Sequence, residues 1–208
     1  MTPRQTVLSQ IRHEETAEVP YTLAFEDEVA CRLDQHFGGD AWRSRIIPYI
    51  NQCGSVGSAP RQDLDDTHYR DAFGTVWRTD ELPSVVVESG LTTPSFKGYD
   101  FPSVDRFLDA RARDETIRRV GESADSFTIV STGLCLWQSW YVRGFETTLM
   151  DVASEEGFYA ELLDRLTDLT LDLVEACAEV PADAIMMGDD WGDQRGVMIG
   201  PERWRRLF

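Results

Sequence analysis

Two adjacent carboxylates, Asp189 and Asp190, stand directly after a short apolar run near the end of the chain. The run covers residues 184–187, has the sequence AIMM, and is followed by Gly188. An apolar run that ends in glycine and carboxylates is typical of a buried parallel strand whose carboxyl end opens into a loop. Because barrels of alternating strands and helices carry their active sites at those strand ends, Asp189 and Asp190 are candidate catalytic residues.

Successive side chains alternate across a strand, so Asp189 and Asp190 cannot both point into one site while the chain stays extended. We therefore expect at most one of them to face the site. The alternative is a plain turn in which one aspartate accepts backbone N–H groups. Residues 188–195 read GDDWGDQR and hold more glycine and charge than a plain loop needs, which favours a functional site.

The length of the chain limits the fold that can carry this site. The chain has 208 residues, fewer than the roughly 250 of a full barrel of eight strand–helix units. Its hydrophobic content of 42% and charged content of 27% are typical of a globular protein with a buried core. The sequence has no apolar run of about 18 residues and no apolar signal core at the N-terminus. We therefore expect one cytoplasmic domain over residues 1–208, with no membrane span.

The charge balance excludes two classes of partner. The formal net charge is −17, from 37 acidic and 20 basic side chains. Nucleic acids and anionic membranes are bound by clustered positive charge, which this composition lacks. We expect neither as a partner.

Cysteine and histidine are too scattered along the chain to predict a metal site. A tetrahedral zinc site needs such ligands in closely spaced groups, and no CxxC pair occurs. We expect each cysteine to be a small buried hydrophobe. The residues concerned are Cys31, Cys53, Cys135 and Cys177, and His13, His36 and His68.

Three apolar segments are predicted to form the parallel strands that position the carboxylates: residues 19–25, 127–131 and 184–187. A helix should follow the first strand, beginning at residue 26 and ending at the glycine pair 38–39. Its predicted buried face consists of Val29, Leu33 and Phe37.

The other helices are predicted from caps and from apolar spacing. Thr2, Pro3 and Gln5 form the pattern of a capping box at the start of a first helix. A long helix, capped at Ser154, has apolar residues at spacings of three and four, namely Phe158, Leu162, Leu166, Leu169, Leu173 and Cys177. Shorter helices are predicted over residues 42–47, 104–120, 134–142, 146–152 and 202–208.

Two further segments complete the prediction. Residues 72–78 and 84–88 are β-rich and predict an antiparallel hairpin outside the main sheet, whereas residues 63–71 predict a solvated acidic loop. The aromatic residues Trp137, Trp140 and Tyr141 favour core or interface packing over ligand stacking.

In this order the segments resemble the uroporphyrinogen decarboxylase superfamily, which includes cobalamin- and corrinoid-linked methyltransferases. The matching segments extend over nearly the whole chain. They are residues 12–20 (RHEETAEVP), 71–77 (DAFGTVW), 99–102 (YDFP), 143–146 (RGFE), 188–196 (GDDWGDQRG) and 201–205 (PERWR).

The resemblance implies an α/β fold: a partial (β/α)8 TIM barrel of the first four or so strand–helix units, with an N-terminal helix and an inserted antiparallel hairpin. The chain would correspond to roughly the first 60% of such a barrel protein and would be truncated at its C-terminus. It would be a methyltransferase-like enzyme that moves a methyl group with a corrinoid or cobalamin carrier. Zinc and corrinoid are implied for a full-length relative, and no cofactor is expected within this chain alone.

The resemblance also suggests roles for the site residues. Asp190 or Asp189 would orient or protonate the substrate, and no residue is predicted to bind metal. Gln194, Arg195 and Trp191 would bind substrate at the mouth of the site. Arg143 would reach a carboxylate of the substrate or corrinoid, and the alternative for Arg143 is an ion pair with Glu146 one turn away.

Two other functions stay open. One is uroporphyrinogen decarboxylation, although decarboxylases carry substrate-binding arginines where residues 19–27 here read VPYTLAFED, with none before Arg32. The other is a shortened, non-catalytic protein that binds a partner, because part of a barrel leaves an open sheet edge and an uncovered apolar face. The expected partners are a small-molecule or tetrapyrrole substrate, a corrinoid protein and, as a homo-oligomer, further copies of the chain.

Overall fold

The chain contains both helices and strands in a mixed α/β order. The computed structural model describes residues 1–57, 60–80, 84–132 and 136–208. The helices are α1 (Pro3–Ile11), α2 (Asp27–Phe37), α3 (Ala110–Glu122), α4 (Leu136–Arg143), α5 (Phe145–Ser154), α6 (Glu156–Ala178) and α7 (Pro201–Leu207), with 3₁₀ turns at Asp40–Arg45 and Val104–Arg106. The strands are β1 (Ile50–Gln52), β2 (Gln62–Asp63), β3 (His68–Arg70), β4 (Val76–Arg78), β5 (Val85–Glu88), β6 (Phe127–Ser131), β7 (Ala184–Met186), β8 (Gly192–Asp193) and β9 (Gly196–Val197).

A three-stranded parallel sheet, in the order β1-β6-β7, places the carboxyl ends of its strands on one side. Gln52 lies opposite Ile129, and Ser131 lies opposite Met186. The chain crosses from β6 to β7 through α4, α5 and α6. The described residues therefore form a mixed α/β fold with a parallel sheet but no closed barrel, and the sheet has three strands where four strand–helix units were predicted.

The first predicted strand, residues 19–25, is not a strand. This segment has no regular structure, and its side chains Val19 and Leu23 are exposed. Its β-branched and aromatic residues favour an extended chain, but such a preference has little effect without a neighbouring strand to pair with. The first position of the parallel sheet is taken instead by β1, which pairs with β6.

The third predicted strand forms, but it is not buried as expected. β7 pairs in parallel with β6, and within the described ranges its other edge has no partner. Met186 is 42% exposed and the next residue, Met187, is 55% exposed. The apolar sequence of β7 therefore lies at an open edge of the sheet.

A second, antiparallel sheet, in the order β2-β3-β4-β5, is inserted between β1 and α3. Its β4–β5 pair confirms the predicted hairpin, whereas the predicted acidic loop at residues 63–71 contains the end of β2 and all of β3. A close contact lies beside this sheet: a Cβ atom at Gly90 would stand only 2.0 Å from the carbonyl oxygen of Phe73. Only glycine fits there without movement of the backbone.

The local signals for helices are largely confirmed. Thr2 Oγ1 accepts from Gln5 N at 3.2 Å, and Gln5 Oε1 accepts from Thr2 N at 2.8 Å, which completes the capping box of α1. The long helix α6 begins one residue later than expected from Ser154, because Glu155 is its N-cap and Ser154 ends α5. The start of the helix predicted from residue 134, and Cys135 with it, lie outside the described residues.

Two predictions of burial fail on α2. The helix forms and ends at Gly38, which has a left-handed φ of 70°, but none of its residues is buried. Val29 and Phe37 are exposed, and so is Cys31. Cys53 and Cys177, by contrast, are buried as expected.

The main core lies between α4, α5 and α6 and the loops that lead from the inserted sheet. Its members share near-complete burial; they include Leu136, Val142, Val152, Tyr159, Leu162 and Leu166. A smaller cluster around Val130 and Cys177 packs the end of α6 onto the parallel sheet. Among the helices in the described ranges, none combines the length and apolar character needed to cross a membrane.

Candidate functional site

The carboxyl side of the parallel sheet brings polar groups together from neighbouring strands. At the end of β1, Gln52 Nε2 donates to Ser131 Oγ on β6 at 2.7 Å. Just beyond β6, Thr132 N donates to the carbonyl oxygen of Met186 at 3.1 Å, which holds the ends of β6 and β7 together. The loop after β7 then supplies Asp189 and Asp190.

Asp189 turns toward the first turn of α4. Its Oδ2 accepts from Leu136 N at 2.8 Å, and its Oδ1 accepts from Trp137 N at 2.9 Å. These N–H groups have no carbonyl partner within the helix, so a carboxylate here satisfies them and interacts favourably with the helix dipole. Asp189 thus makes the kind of contact that the turn alternative describes, with a helix 53 residues away in sequence.

Asp190 is exposed. Its Oδ1 accepts from Gly192 N at 3.4 Å, a long contact within the loop. The two aspartates therefore differ in their surroundings: Asp189 is partly buried at the start of α4, and Asp190 is exposed. Its catalytic role stays a prediction.

Trp191, predicted to contact substrate, is partly buried and packs against α7, and its role in substrate binding stays a prediction. Its indole Nε1 donates to Asp189 Oδ2 at 2.9 Å. Its ring lies 5.2 Å from the ring of Trp204 on α7 and 5.6 Å from that of Phe208. These contacts attach the loop after β7 to α7.

Gln194 and Arg195 form the tip of the small β8–β9 hairpin, and both are exposed. The backbone N–H of Arg195 donates to Asp193 Oδ1 at 2.7 Å, and its guanidinium Nη2 lies 3.0 Å from Asp193 Oδ2. These bonds, the backbone one foremost, lower the pKa of Asp193. The Arg195 side chain is 91% exposed, so it remains accessible to a ligand despite this pairing.

Arg143 lies in the core and away from solvent. Its Nε donates to Asp151 Oδ2 at 2.6 Å, and its Nη1 donates to the carbonyl oxygen of Leu91 at 2.6 Å. The ion pair joins Arg143 to Asp151 on α5, where the sequence had suggested Glu146. Because each guanidinium nitrogen has a protein acceptor, these contacts assign Arg143 to the core and give no support to substrate binding.

A carboxylate not identified from the sequence, Asp183, holds the start of β7. It accepts from Arg4 Nε at 3.0 Å and from Thr128 N at 2.9 Å. Burial raises the pKa of Asp183, but the hydrogen bonds from Arg4 and Thr128 outweigh this effect and leave the pKa below its ordinary value. The group therefore connects α1, β6 and β7 as an ionised carboxylate.

Asp71 is a second buried carboxyl group to which the sequence assigned no role. Its Oδ1 accepts from Phe73 N at 2.9 Å and from Thr75 N at 3.0 Å, and its Oδ2 accepts from Trp77 Nε1 at 2.9 Å. Burial raises the pKa of Asp71, and the three hydrogen bonds oppose that rise. The contacts explain the DAFGTVW segment: Asp71 holds the turn that leads into β4 and fixes Trp77.

Among the residues that the structure describes, no group of three His, Cys, Asp or Glu side chains could hold a metal ion. A resident zinc therefore does not fit among the described residues.

Comparisons with known proteins provide information on the fold. No family model matches the chain, and no curated protein matches it. A solved structure of a methyltransferase from Methanosarcina mazei is similar over 99% of this chain, with a TM-score of 0.60 and 12% sequence identity. The chain spans 64% of the length of that methyltransferase. At this identity the likeness shows that the two proteins share a fold.

Proposed function

We propose that the chain belongs to a methyltransferase-like enzyme of the uroporphyrinogen decarboxylase superfamily, which moves a methyl group with a corrinoid carrier. The observation that carries this proposal is that Gln52 and Ser131 are hydrogen-bonded at the carboxyl ends of β1 and β6, and that the exposed Asp190 lies in the loop after the neighbouring strand β7. In α/β enzymes of this kind the chemistry takes place at that side. The fold shared with a methyltransferase over 99% of the chain supports the same function.

Asp190 is the residue proposed to act on the substrate. When a methyl group leaves an oxygen, nitrogen or sulfur atom, that heteroatom keeps the electron pair of the broken bond and takes up a proton. A carboxyl group at this position can orient the heteroatom and give it that proton, a role that typically accelerates a reaction by about 10²- to 10⁴-fold. Gln52 and Ser131 provide amide and hydroxyl groups that can hold the rest of the donor.

Two exposed methionines near the end of β7 support the proposal of a corrinoid partner. Met186 and Met187 are exposed immediately before Gly188 and offer apolar contact area to a flat ring system. When bound, the corrinoid supplies the cobalt that carries the methyl group. Since zinc does not fit among the described residues, no step is assigned to it.

The experiment is an assay of methyl transfer with the full chain, free cob(I)alamin and, in separate reactions, an O-methyl, an N-methyl and an S-methyl donor. Transfer is followed by the loss of the cob(I)alamin absorption band. With the donor that reacts, Asp190→Asn should lower the rate by about 10²-fold. Asp164→Asn is the matched control, because Asp164 is an exposed aspartate on α6.

Two results would contradict the proposal: no transfer from any of the three donors, or an Asp190→Asn variant that is as fast as the control. Conversion of uroporphyrinogen to coproporphyrinogen by the same preparation would establish the decarboxylase alternative instead.

The partner-binding alternative is favoured by one observation, the open edge of β7. Unpaired backbone groups at the edge of a sheet readily accept another strand. A chain inactive in both assays that forms a stable oligomer in sedimentation experiments would support this function.

A further inference from the structure

A cavity of about 340 Å³ lies between the face of the antiparallel sheet and α4. Small-molecule sites in proteins typically measure about 300–1,000 Å³, so this volume suits a ligand of one ring. Most of its wall is aromatic and comes from Tyr69, Phe73, Trp77, Phe107 and Tyr141. The proposed methyl-transfer site makes no use of these residues.

The aromatic wall is held rigidly before any ligand binds. Tyr69 and Trp77 are directly opposite each other on β3 and β4, with ring centroids 6.3 Å apart and planes 7° from parallel. Tyr141 on α4 meets the Trp77 ring at 4.6 Å and 71°. Because Asp71 also holds the Trp77 indole N–H, the flat faces need little ordering when a ligand binds.

One positive charge lines this cavity within the described residues, and it belongs to Arg61. Its guanidinium carbon lies 5.2 Å from the centre of the Tyr69 ring. The side chain is 60% exposed and pairs with the equally exposed Asp63 at 3.2 Å. Exposed ion pairs of this kind contribute little to stability. Arg61 can therefore leave Asp63 and pair with a carboxylate of a ligand with little loss of free energy.

Two further polar residues lie in the wall. Gln138, on α4, is partly buried in the wall, and its amide can donate a hydrogen bond to a ligand or accept one from it. Asp71 is the carboxyl group of the cavity, and its oxygens already accept from Phe73, Thr75 and Trp77. These three donors offset the repulsion that its charge would exert on an anionic ligand.

From this arrangement we propose that the cavity binds a single-ring aromatic carboxylate. The ring packs against Tyr69, Phe73 and Trp77, where flat aromatic faces favour a planar ligand. Arg61 pairs with the carboxylate, since a guanidinium matches the geometry of that group. Gln138 bonds to a polar atom of the ligand. The binding site does not depend on the methyl-transfer reaction and is tested by binding alone.

Isothermal titration calorimetry with three small probes separates the contributions of ring and charge. Benzoate has both a flat ring and a carboxylate, cyclohexanecarboxylate has the carboxylate on a puckered ring, and benzyl alcohol has the flat ring without charge. The proposal expects benzoate to bind at least about tenfold more tightly than either of the others. Equal affinity for all three, or no heat of binding for benzoate up to 10 mM (about the millimolar range of a weak site), would overturn it.

Two variants locate the binding in this cavity. Arg61→Gln should lower the affinity for benzoate about tenfold and leave the affinity for benzyl alcohol unchanged. Arg45→Gln, at an exposed arginine outside the cavity, is the control and should change neither affinity. Gln138→Trp should abolish binding by filling the space from the helix side without removing a core contact. Circular dichroism confirms that each variant is folded. Undiminished benzoate binding in either cavity variant would overturn the proposal.

Discussion

Arg143 Nε lies 2.6 Å from Asp151 Oδ2, and the two side chains are only 2% and 6% exposed. The ion pair crosses from the end of α4 to α5, and the same arginine also reaches the carbonyl oxygen of Leu91. A buried charge without its partner is far less stable than a buried pair, because water no longer solvates it. The pair is therefore a contact on which the packing of α4 against α5 depends.

The first prediction concerns this pair. Arg143→Met leaves Asp151 buried without its cation, so the free energy of unfolding should fall by about 3–5 kcal/mol. The double variant Arg143→Met, Asp151→Leu removes both charges, so its free energy of unfolding should fall much less. Urea unfolding of the two variants checks this, and equal losses in both would contradict it.

The second prediction separates the two aspartates after β7. Asp189→Ala removes the carboxylate that accepts from Leu136 and Trp137, and losing such a cap costs about 1–2 kcal/mol. Asp190→Ala should change stability by less than about 0.5 kcal/mol, since its side chain is exposed. Thermal unfolding of both variants provides the comparison. A larger loss of stability in the Asp190 variant would contradict this prediction, because it would show that Asp190, and not Asp189, is the aspartate that stabilises the fold.

The third prediction is a pH dependence. Because the pKa of Asp183 is lowered in the folded protein, its ionised form stabilises the fold, and this contribution is present above the unfolded pKa of about 3.8. The contribution disappears as the pH falls through the lower, folded pKa. Asp183→Asn should therefore be less stable than the parent at neutral pH, and the difference should narrow below about pH 4.

Urea midpoints measured between pH 7 and about pH 3 test this dependence. Asp164→Asn serves as the control, because Asp164 is an exposed aspartate on α6. A constant difference between the Asp183 variant and the parent across the whole range would refute the proposed linkage.

The fourth prediction concerns the two faces of α6. Leu166 is almost fully buried, and Leu171 on the same helix is exposed. Leu166→Ala should lower the free energy of unfolding by about 2–5 kcal/mol, because it leaves a cavity in the core. Leu171→Ala should change it by less than about 0.5 kcal/mol, as measured by urea unfolding.

Helices whose signals lie within their own sequence could be predicted. A strand that depends on hydrogen bonds to a strand far away in the sequence could not. The capping box of α1 and the apolar stripe of α6 are local signals, and both helices form. β1, by contrast, has the sequence INQ, which carries no strand signal of its own. It is a strand because β6, far along the chain, provides its hydrogen-bonding partner.

The same distinction applies to the candidate site. Alternation along an extended chain predicts that at most one of Asp189 and Asp190 faces the site, and in the structure Asp189 caps α4 whereas Asp190 is exposed. The partners of Asp189 could not be predicted, because the helix that it caps begins 53 residues earlier. For Arg143 the sequence left open a ligand carboxylate or an ion pair with Glu146. Its actual partner, Asp151, could not be predicted because it lies on the next helix and shares no sequence pattern with Arg143.

Gly90 connects the inserted sheet to the shape of the aromatic cavity. A single methyl group at this position would meet the carbonyl oxygen of Phe73, which also accepts from the Tyr99 hydroxyl at 2.7 Å. To make room, the backbone at Phe73 would have to shift, and its ring with it. Gly90 does not itself line the cavity, but Phe73 does. Gly90→Ala would therefore change the shape of the cavity indirectly, through the displacement of Phe73.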